Sequence, residues 1–166
     1  MTDTNILRHK ILIISDTFPR LDLAQRLEAV RHNVGGRIVL TSSFGIEDQV
    51  LADAIFTLQL EIDVVTLDTG RLFPETYRLW AETEQQYGWR IPALFPDHKV
   101  LEELVASQGA DGFRSSLEAR HACCATRKVE PLGRALAGAA AWITGLRADQ
   151  SRDRASVPCA SNAISS

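Results

Sequence analysis

The pattern of apolar residues between positions 37 and 58 predicts a strand, a turn and a helix. Arg37-Ile38-Val39-Leu40 is a short, mostly apolar run typical of a buried strand. Small and polar residues follow at 41–45. Apolar residues then recur at helical spacing, at Val50, Leu51, Ala54, Ile55 and Leu58. We expect the rest of the fold to be organised around this unit.

The same alternation of short apolar runs and helical stripes continues along the chain. Further strands are predicted at 62–67, at 90–95 (weakened by Pro92) and at 140–144, with Trp142 interpreted as core. Helices are predicted at 21–32, from Pro74, after Asp97 and at 131–136, and a loop at 109–116. This spacing predicts parallel βαβ units. The expected fold class is therefore α/β, with a doubly wound, mostly parallel sheet.

Two turns are expected at the carboxyl edge of that sheet, where ligands of such folds bind. They are 41–48 and 68–71. In the first, backbone N–H groups at the helix start and the hydroxyls of Ser42 and Ser43 would form an anion cradle, with Glu47 and Asp48 as helix caps. The alternative is a plain serine-capped turn. A Walker loop needs a lysine in the turn, which this sequence lacks, so an ordinary P-loop ATPase is not indicated.

Composition and charge narrow the class of protein. The chain has 166 residues, 45% hydrophobic and 23% charged, with a formal net charge of −3. This composition is typical of a globular domain. Residues 114–166 hold 8 basic and 4 acidic side chains, whereas residues 1–113 hold 10 and 17. This asymmetry favours a small anionic ligand over a nucleic acid, and an unevenly charged surface is the alternative.

The sequence contains no run of about 18 apolar residues, so no membrane association is expected. We expect a cytoplasmic protein, and a homo-oligomer is compatible with the sequence. Three cysteines, two of them adjacent, do not form a disulfide framework.

The adjacent cysteines, Cys123 and Cys124, are the first candidates for chemistry. Neighbouring residues cannot easily bind one tetrahedral zinc, but they could bind two irons of one cluster. Buried free cysteines are the alternative. A cluster needs about four ligands, and Cys159 is the only other cysteine of the sequence. The candidates for binding an anion are basic: Arg71, Arg127, Lys128, Arg147, Arg152 and Arg154.

Four blocks together resemble the assimilatory sulfonucleotide reductases, which reduce adenylyl sulfate or its 3′-phosphorylated form with thioredoxin as electron donor. The order and spacing of the blocks agree over roughly residues 35–157. The blocks are Ser42-Ser43-Phe44-Gly45-Ile46-Glu47-Asp48, Leu67-Asp68-Thr69-Gly70-Arg71, Cys123-Cys124-Ala125-Thr126-Arg127-Lys128 with Pro131-Leu132, and Trp142-Ile143-Thr144-Gly145-Leu146-Arg147 with Gln150-Ser151.

The resemblance implies an adenine-nucleotide α-hydrolase-like fold with a PP-loop, and a role in sulfate assimilation and cysteine biosynthesis. The Cys-Cys pair is similar to the branch that prefers adenylyl sulfate and carries a 4Fe-4S cluster. Cys123 and Cys124 would then be two of its four ligands, and Lys128 would bridge cluster and substrate. The remaining implied substrate contacts are Ser42, Ser43, Gly45, Leu67, Thr69, Gly145, Leu146 and Arg147.

The sequence departs from the family pattern at its C-terminal end. The family has a second Cys-x-x-Cys pair and a nucleophilic cysteine in a Glu-Cys-Gly-Leu-His tail, and the sequence stops before either. We therefore expect a helical segment over 1–34, a binding domain over 35–157, a divergent tail over 158–166 and no catalytic nucleophile. The alternatives are a reductase specific for the 3′-phosphorylated substrate, another PP-loop enzyme such as an adenylyltransferase, and an inactive nucleotide-binding remnant.

Overall fold

The structure is a computed structural model that describes residues 18–146. The described strands are β1 (Arg37–Ser42), β2 (Asp63–Leu67), β3 (Ala93–Leu94) and β4 (Ala139–Ile143). The α-helices are α1 (Leu23–Asn33), α2 (Ile46–Thr57), α3 (Pro74–Tyr87), α4 (His98–Gln108), α5 (Leu117–Cys124) and α6 (Glu130–Leu136). One π-helical turn, Ala125–Val129, joins α5 to α6, and short 3-10 turns lie at Phe18–Arg20 and Gly112–Arg114.

The four described strands form one parallel sheet in the order β3-β2-β1-β4. In β1, Val39 is in register with Asp63 of β2 on one side and with Trp142 of β4 on the other. From β1 the chain therefore adds β2 and β3 on one side, and it then crosses over to add β4 on the other side of β1. This reversal creates a topological switch point between the carboxyl ends of β1 and β4, which is where ligands bind in such sheets.

Apolar residues cover both faces of the sheet, as the predicted doubly wound fold requires. On one face Ile38, Leu40 and Val64 pack with residues of α1, α2 and α3. On the other, Val39 and Val65 pack against Ala135 of α6. Because successive strand residues point to opposite faces, the continuous run Ile38-Val39-Leu40 is buried on both sides.

The predicted elements are confirmed in kind, with local differences. The third strand is reduced to Ala93–Leu94, as expected beside Pro92, which has no N–H for a ladder. The predicted cap at Asp97 is confirmed, because its carboxylate accepts from the backbone N–H of Lys99 and Val100. None of the described helices is long and apolar enough to cross a membrane.

Two sequence interpretations were wrong. The helix predicted to begin at Pro131 begins at Glu130 and continues directly from the π-helical turn, so the proline lies in the first turn of α6. Trp142 is not core: it is 43% exposed, and its indole N–H donates to the Thr41 hydroxyl at 2.9 Å. An indole at a sheet edge can keep its N–H satisfied while half of its ring faces water.

Candidate functional site

The first turn, residues 41–48, includes the end of β1 and the start of α2, and hydrogen bonds among its own residues hold it. The Ser42 hydroxyl accepts from the backbone N–H of Phe44 at 3.1 Å. Phe44 has a left-handed backbone (φ 61°), which costs a non-glycine residue about 1–2 kcal/mol. Its ring is buried and stacks on Trp80 with centroids 5.9 Å apart, which offsets that cost.

A buried carboxylate organises the donors of the first turn. Both the backbone N–H and the hydroxyl of Ser43 donate to Oδ2 of Asp48, each at 2.7 Å. Asp48 lies in the first turn of α2, where the helix dipole favours a negative charge. Glu47 and Asp48 lie in the first turn of α2 as predicted, but the N-cap residue is Gly45, and Asp48 binds the loop before the helix instead. The cradle therefore already contains one anion of its own, and a ligand at Ser43 must share those donors with Asp48.

The loop after β4 packs directly onto the first turn. A Cβ added to Gly145 would lie 2.3 Å from Oδ1 of Asp48 and 3.1 Å from its backbone nitrogen. Only glycine fits this contact without a shift of Asp48 and its neighbours. Leu146 is exposed beside it, and its N–H donates to the Thr144 hydroxyl at 3.3 Å. The predicted contacts Gly145 and Leu146 thus lie at the switch point with Ser42 and Ser43.

The second turn, residues 68–71, follows β2. The buried carboxylate of Asp68 accepts from the N–H of Gly70 at 2.8 Å, and the Tyr77 hydroxyl lies 2.9 Å from both of its oxygens. The hydrogen bond to Asp68, assisted by burial and by the carboxylate charge, raises the pKa of Tyr77. Asp68 and Tyr77 together fix the backbone on both sides of Thr69.

Leu67 and Thr69, the other predicted contacts, flank Asp68. Leu67 is half-buried and packs against the cluster of Val39 and Val65, so it supports the sheet as well as its edge. The Thr69 hydroxyl accepts from the N–H of Arg71 at 3.2 Å.

Arg71 is not placed as a free anion partner. Its guanidinium forms a 3.2 Å ion pair with Asp111, bonds the Ala110 carbonyl and lies 5.1 Å from the centre of the Phe113 ring. The side chain therefore fastens the second turn to the loop before α5.

The cysteine pair lies at the end of α5. Cys123 is half-buried and Cys124 is exposed. Cys123 lines a small cavity with Arg127 and with residues of α4 and the loop that follows it: Leu104, Val105, Gln108, Gly109, Ala110 and Phe113. Lys128 is exposed on the π-helical turn. Within residues 18–146, no three or more histidine, cysteine, aspartate or glutamate residues are grouped to hold a metal ion. The described part of the chain therefore contains two neighbouring thiols and no complete ligand set for a metal site.

Arg127 joins the cysteine segment, residues 121–129, to the second turn. It is 8% exposed, and its Nη1 donates to the Thr69 carbonyl at 2.6 Å. Its Nε is buried with no hydrogen-bond partner among the described residues. The structure thus places the first turn, the second turn and the loop after β4 at the carboxyl edge of the sheet. Arg127 joins the second turn to the π-helical turn that follows the cysteines.

Residues 37–163 match the family model described as the phosphoadenosine phosphosulfate reductase domain. The chain belongs to this family. The resemblance drawn from the four sequence blocks is thereby confirmed.

Similar proteins agree with this assignment. The chain is 54% identical over 144 residues to an adenosine 5′-phosphosulfate reductase of Agrobacterium fabrum (strain C58 / ATCC 33970), which covers 87% of this chain and 55% of the relative. A protein of the same name from Allochromatium vinosum is 44% identical over 153 residues, covering 91% of this chain and 59% of the relative. The chain thus spans little more than half the length of these relatives.

The fold of this chain is similar to that of a solved sulfonucleotide reductase. The crystal structure of phosphoadenylyl-sulfate reductase from Candida auris, a phosphate complex, matches with a TM-score of 0.70 and 25% sequence identity. The match covers 82% of this chain and 66% of that chain. The predicted PP-loop type of α/β fold is confirmed.

Several predicted residues lie outside the described residues, among them Arg147, Arg152, Arg154 and Cys159. Within the described residues, sequence reasoning missed three features: the Asp48–Ser43 pairing, the Tyr77–Asp68 pairing and the position of Arg127. Asp48 carried a signal, because an acid in the first turn of a helix is well placed to accept from the preceding loop. Tyr77 and Arg127 carried none, since their partners lie 9 and 58 residues away.

Proposed function

We propose that this chain is the sulfonucleotide-binding part of a thioredoxin-dependent adenylyl-sulfate reductase, which produces sulfite and AMP for cysteine biosynthesis in the cytoplasm. The proposal is supported by the relatives named adenosine 5′-phosphosulfate reductase. Because the chain spans little more than half of their length, the whole reaction is proposed for the full-length protein of this type.

The observation that carries the proposal is that three loops lie at the carboxyl edge of the sheet, two of them in contact at the switch point. Gly145 packs on Asp48 of the first turn, and the second turn follows the strand beside β1. Their placement fits a nucleotide held across the edge of β1. Ser42, Ser43 and Gly45 would line this site, and the adenosine would lie between Leu67 and Thr69 on one side and Gly145 and Leu146 on the other.

Charge explains why the proposed reaction needs basic residues beside the nucleotide. The sulfur of adenylyl sulfate is surrounded by anionic oxygens, so a thiolate can attack it only where cations offset the repulsion. Lys128 is exposed on the turn that follows the cysteines, and we assign Arg147 to the phosphosulfate. A thiolate that attacks the sulfur forms an S-sulfocysteine and expels AMP. Reduction by the thioredoxin dithiol then releases sulfite and regenerates the thiol.

We assign no catalytic nucleophile to the present chain. Cys123 and Cys124 are proposed instead as two thiolate ligands of a 4Fe-4S cluster, and the remaining ligands are not among the described residues. A bound cluster would supply a fixed redox-capable charge near the substrate. The role of this chain is to hold the nucleotide, to place Lys128 beside it and to present the two thiols.

Calorimetry of the 166-residue chain with adenylyl sulfate, AMP and adenosine 3′,5′-bisphosphate tests the proposal. We expect binding of adenylyl sulfate and AMP, and weaker binding of the bisphosphate. Ser43→Ala should weaken the binding of adenylyl sulfate, with Ser107→Ala on the exposed face of α4 as a matched control. Equal affinity for all three ligands would argue against the preference for adenylyl sulfate, and no binding of any would overturn the site.

Sulfite release from adenylyl sulfate with reduced thioredoxin, measured anaerobically, is the second test. We expect none from this chain, because the assigned residues bind the substrate and do not attack it. Release of sulfite by the 166-residue chain alone would make Cys123, Cys124 or Cys159 the nucleophile. It would refute the proposal that this chain binds the substrate without attacking it.

A further inference from the structure

The buried side chain of Arg127 contacts the backbone of the second turn. Its Nη1 donates to the Thr69 carbonyl at 2.6 Å, in a bond that spans 58 residues of sequence. The same nitrogen would lie 3.5 Å from a Cβ on Gly70, the residue whose left-handed backbone (φ 69°) shapes the turn. Arg127 therefore packs on two consecutive residues of the turn.

The backbone of Arg127 belongs to the cysteine segment. It lies within the π-helical turn Ala125–Val129, which starts immediately after Cys124. Its side chain and Cys123 line the same small cavity. A shift of this guanidinium is thus a shift at one wall of the space around the Cys123 thiol.

This position is costly for a cation. No carboxylate of residues 18–146 forms an ion pair with Arg127, and its Nε is buried with no hydrogen-bond partner there. Burial of a charged group without full compensation opposes folding. An apolar side chain of similar size would fill the space without that penalty. A role in packing alone therefore does not account for arginine here.

A second connection between the same regions is weaker. Arg71 of the second turn pairs with Asp111 and lies over Phe113, which lines the same cavity as Cys123. Both partners of this ion pair are substantially exposed to solvent, and such pairs contribute little. Arg127 is the buried connection.

We propose that Arg127 is a positioning residue that couples the second turn to the cysteine segment, so that a nucleotide which orders Thr69 also orders residues 121–129. This inference rests on the proposed function, in which Thr69 contacts the nucleotide. The inference adds that binding of a nucleotide changes the order of the backbone at residues 121–129, which carry both thiols.

Amide hydrogen exchange of the 166-residue chain, with and without saturating AMP, tests the coupling. In the wild-type chain we expect AMP to slow exchange in both 68–71 and 121–129 by about fivefold or more, within the usual range of coupling between sites. In Arg127→Met at saturating AMP, the slowing should persist in 68–71 and disappear in 121–129. Arg127→Lys keeps one donor and should restore part of it.

Arg134→Met is the matched control, because Arg134 is exposed on α6 and bonds Glu130 and the Phe95 carbonyl. It should leave the effect of AMP on 121–129 unchanged. A merely structural role for Arg127 would speed exchange equally with and without AMP and leave the ratio of the two rates unaltered. That result in a variant with native circular dichroism would overturn the inference.

A ligand-free experiment separates this inference from the proposed function. Gly70→Ala strains the second turn, because alanine rarely adopts φ 69°. The coupling predicts that Gly70→Ala speeds exchange in 121–129 when Arg127 is present, and does so at least about fivefold less in the Arg127→Met background. If wild type binds no AMP, the proposed function fails and this cycle alone decides the coupling. Equal effects of Gly70→Ala in the two backgrounds would refute it.

Discussion

The two turns at the carboxyl edge of the sheet are fixed in different ways. The hydrogen bonds of the first turn come from within it and from Asp48, five positions after Ser43, which accepts both donors of Ser43. The second turn has local bonds as well, but it is held in addition by hydrogen bonds from other elements, with Tyr77 of α3 on Asp68 and Arg127 on the Thr69 carbonyl. The hydrogen bonds of the first turn are therefore local, whereas those of the second depend in part on the assembled fold.

This difference has a consequence for disruption. Damage to the first turn should come from changes within it or in the loop packed on it. Damage to the second should come from residues that are far from it in sequence. Three variants and one pH titration follow, in decreasing order of expected effect.

Gly145→Ala should have the largest effect, because its Cβ would lie 2.3 Å from the Asp48 carboxylate that organises the first turn. We expect a loss of about 3 kcal/mol in the free energy of unfolding, the upper part of the range for overpacked sites, together with loss of nucleotide binding. Urea denaturation measures the first and calorimetry the second. Gly45→Ala is the matched control for stability, since its Cβ would meet nothing closer than 3.6 Å and its φ is ordinary. Equal stability of the two variants would show that the contact with Asp48 is not tight.

Asp48→Ala should come next. It removes the charged acceptor of two hydrogen bonds from Ser43, and although Ser43 itself is exposed we expect a cost of about 2 kcal/mol. Asp48→Asn keeps an oxygen acceptor and should lose less. Denaturant unfolding of both variants gives the comparison, and an alanine variant as stable as wild type would mean that water replaces the carboxylate freely.

Tyr77→Phe should weaken the second turn from a distance, by about 1 kcal/mol for one hydrogen bond to Asp68. Hydrogen exchange in 68–71 should rise while exchange in 42–48 stays the same. Tyr87→Phe is the control, because Tyr87 bonds Asp53 on α2 and touches neither turn. Faster exchange in both turns would contradict their independence.

The smallest effect concerns pH. The chain contains only two tyrosines, and a hydrogen bond to a carboxylate raises the pKa of each, that of Tyr87 to about 12 through Asp53. Because both folded-state values lie above the unfolded value of about 10, these bonds stabilise the fold fully below pH of about 10. Their contribution is lost as pH rises through the folded-state pKa, which for Tyr87 is about 12. Ultraviolet titration of tyrosinate should therefore show a higher midpoint in the native chain than in urea, and coincident midpoints would refute the shift.

The sequence was most informative where structure depends on near neighbours. The run Ile38-Val39-Leu40, the cap at Asp97 and the helix from Pro74 were all readable from local pattern. Parallel strands place their carboxyl ends at one edge, so the meeting of Ser42, Thr69 and Gly145 could be anticipated before any coordinates.

The sequence failed where a side chain had several partners to choose from. Arg71 looked like an anion ligand, yet it binds Asp111 and the loop before α5. Arg127 looked like one more basic residue beside the cysteines, yet it is buried under the second turn. Spacing alone does not distinguish these outcomes, because a guanidinium can reach any acceptor that the folded chain brings close.

The π-helical turn between α5 and α6 also fixes an angle. Such a turn carries one residue more than an α-helical turn, and each residue advances an α-helix by about 100°. Because the wider turn takes up the extra residue, Cys123 and Cys124 keep nearly the direction relative to α6 that they would have in a regular α-helix shorter by one residue. Deletion of Ala125 should therefore turn the thiols much less than insertion of a further residue into α5, which would rotate the cysteines relative to α6 by about 100°.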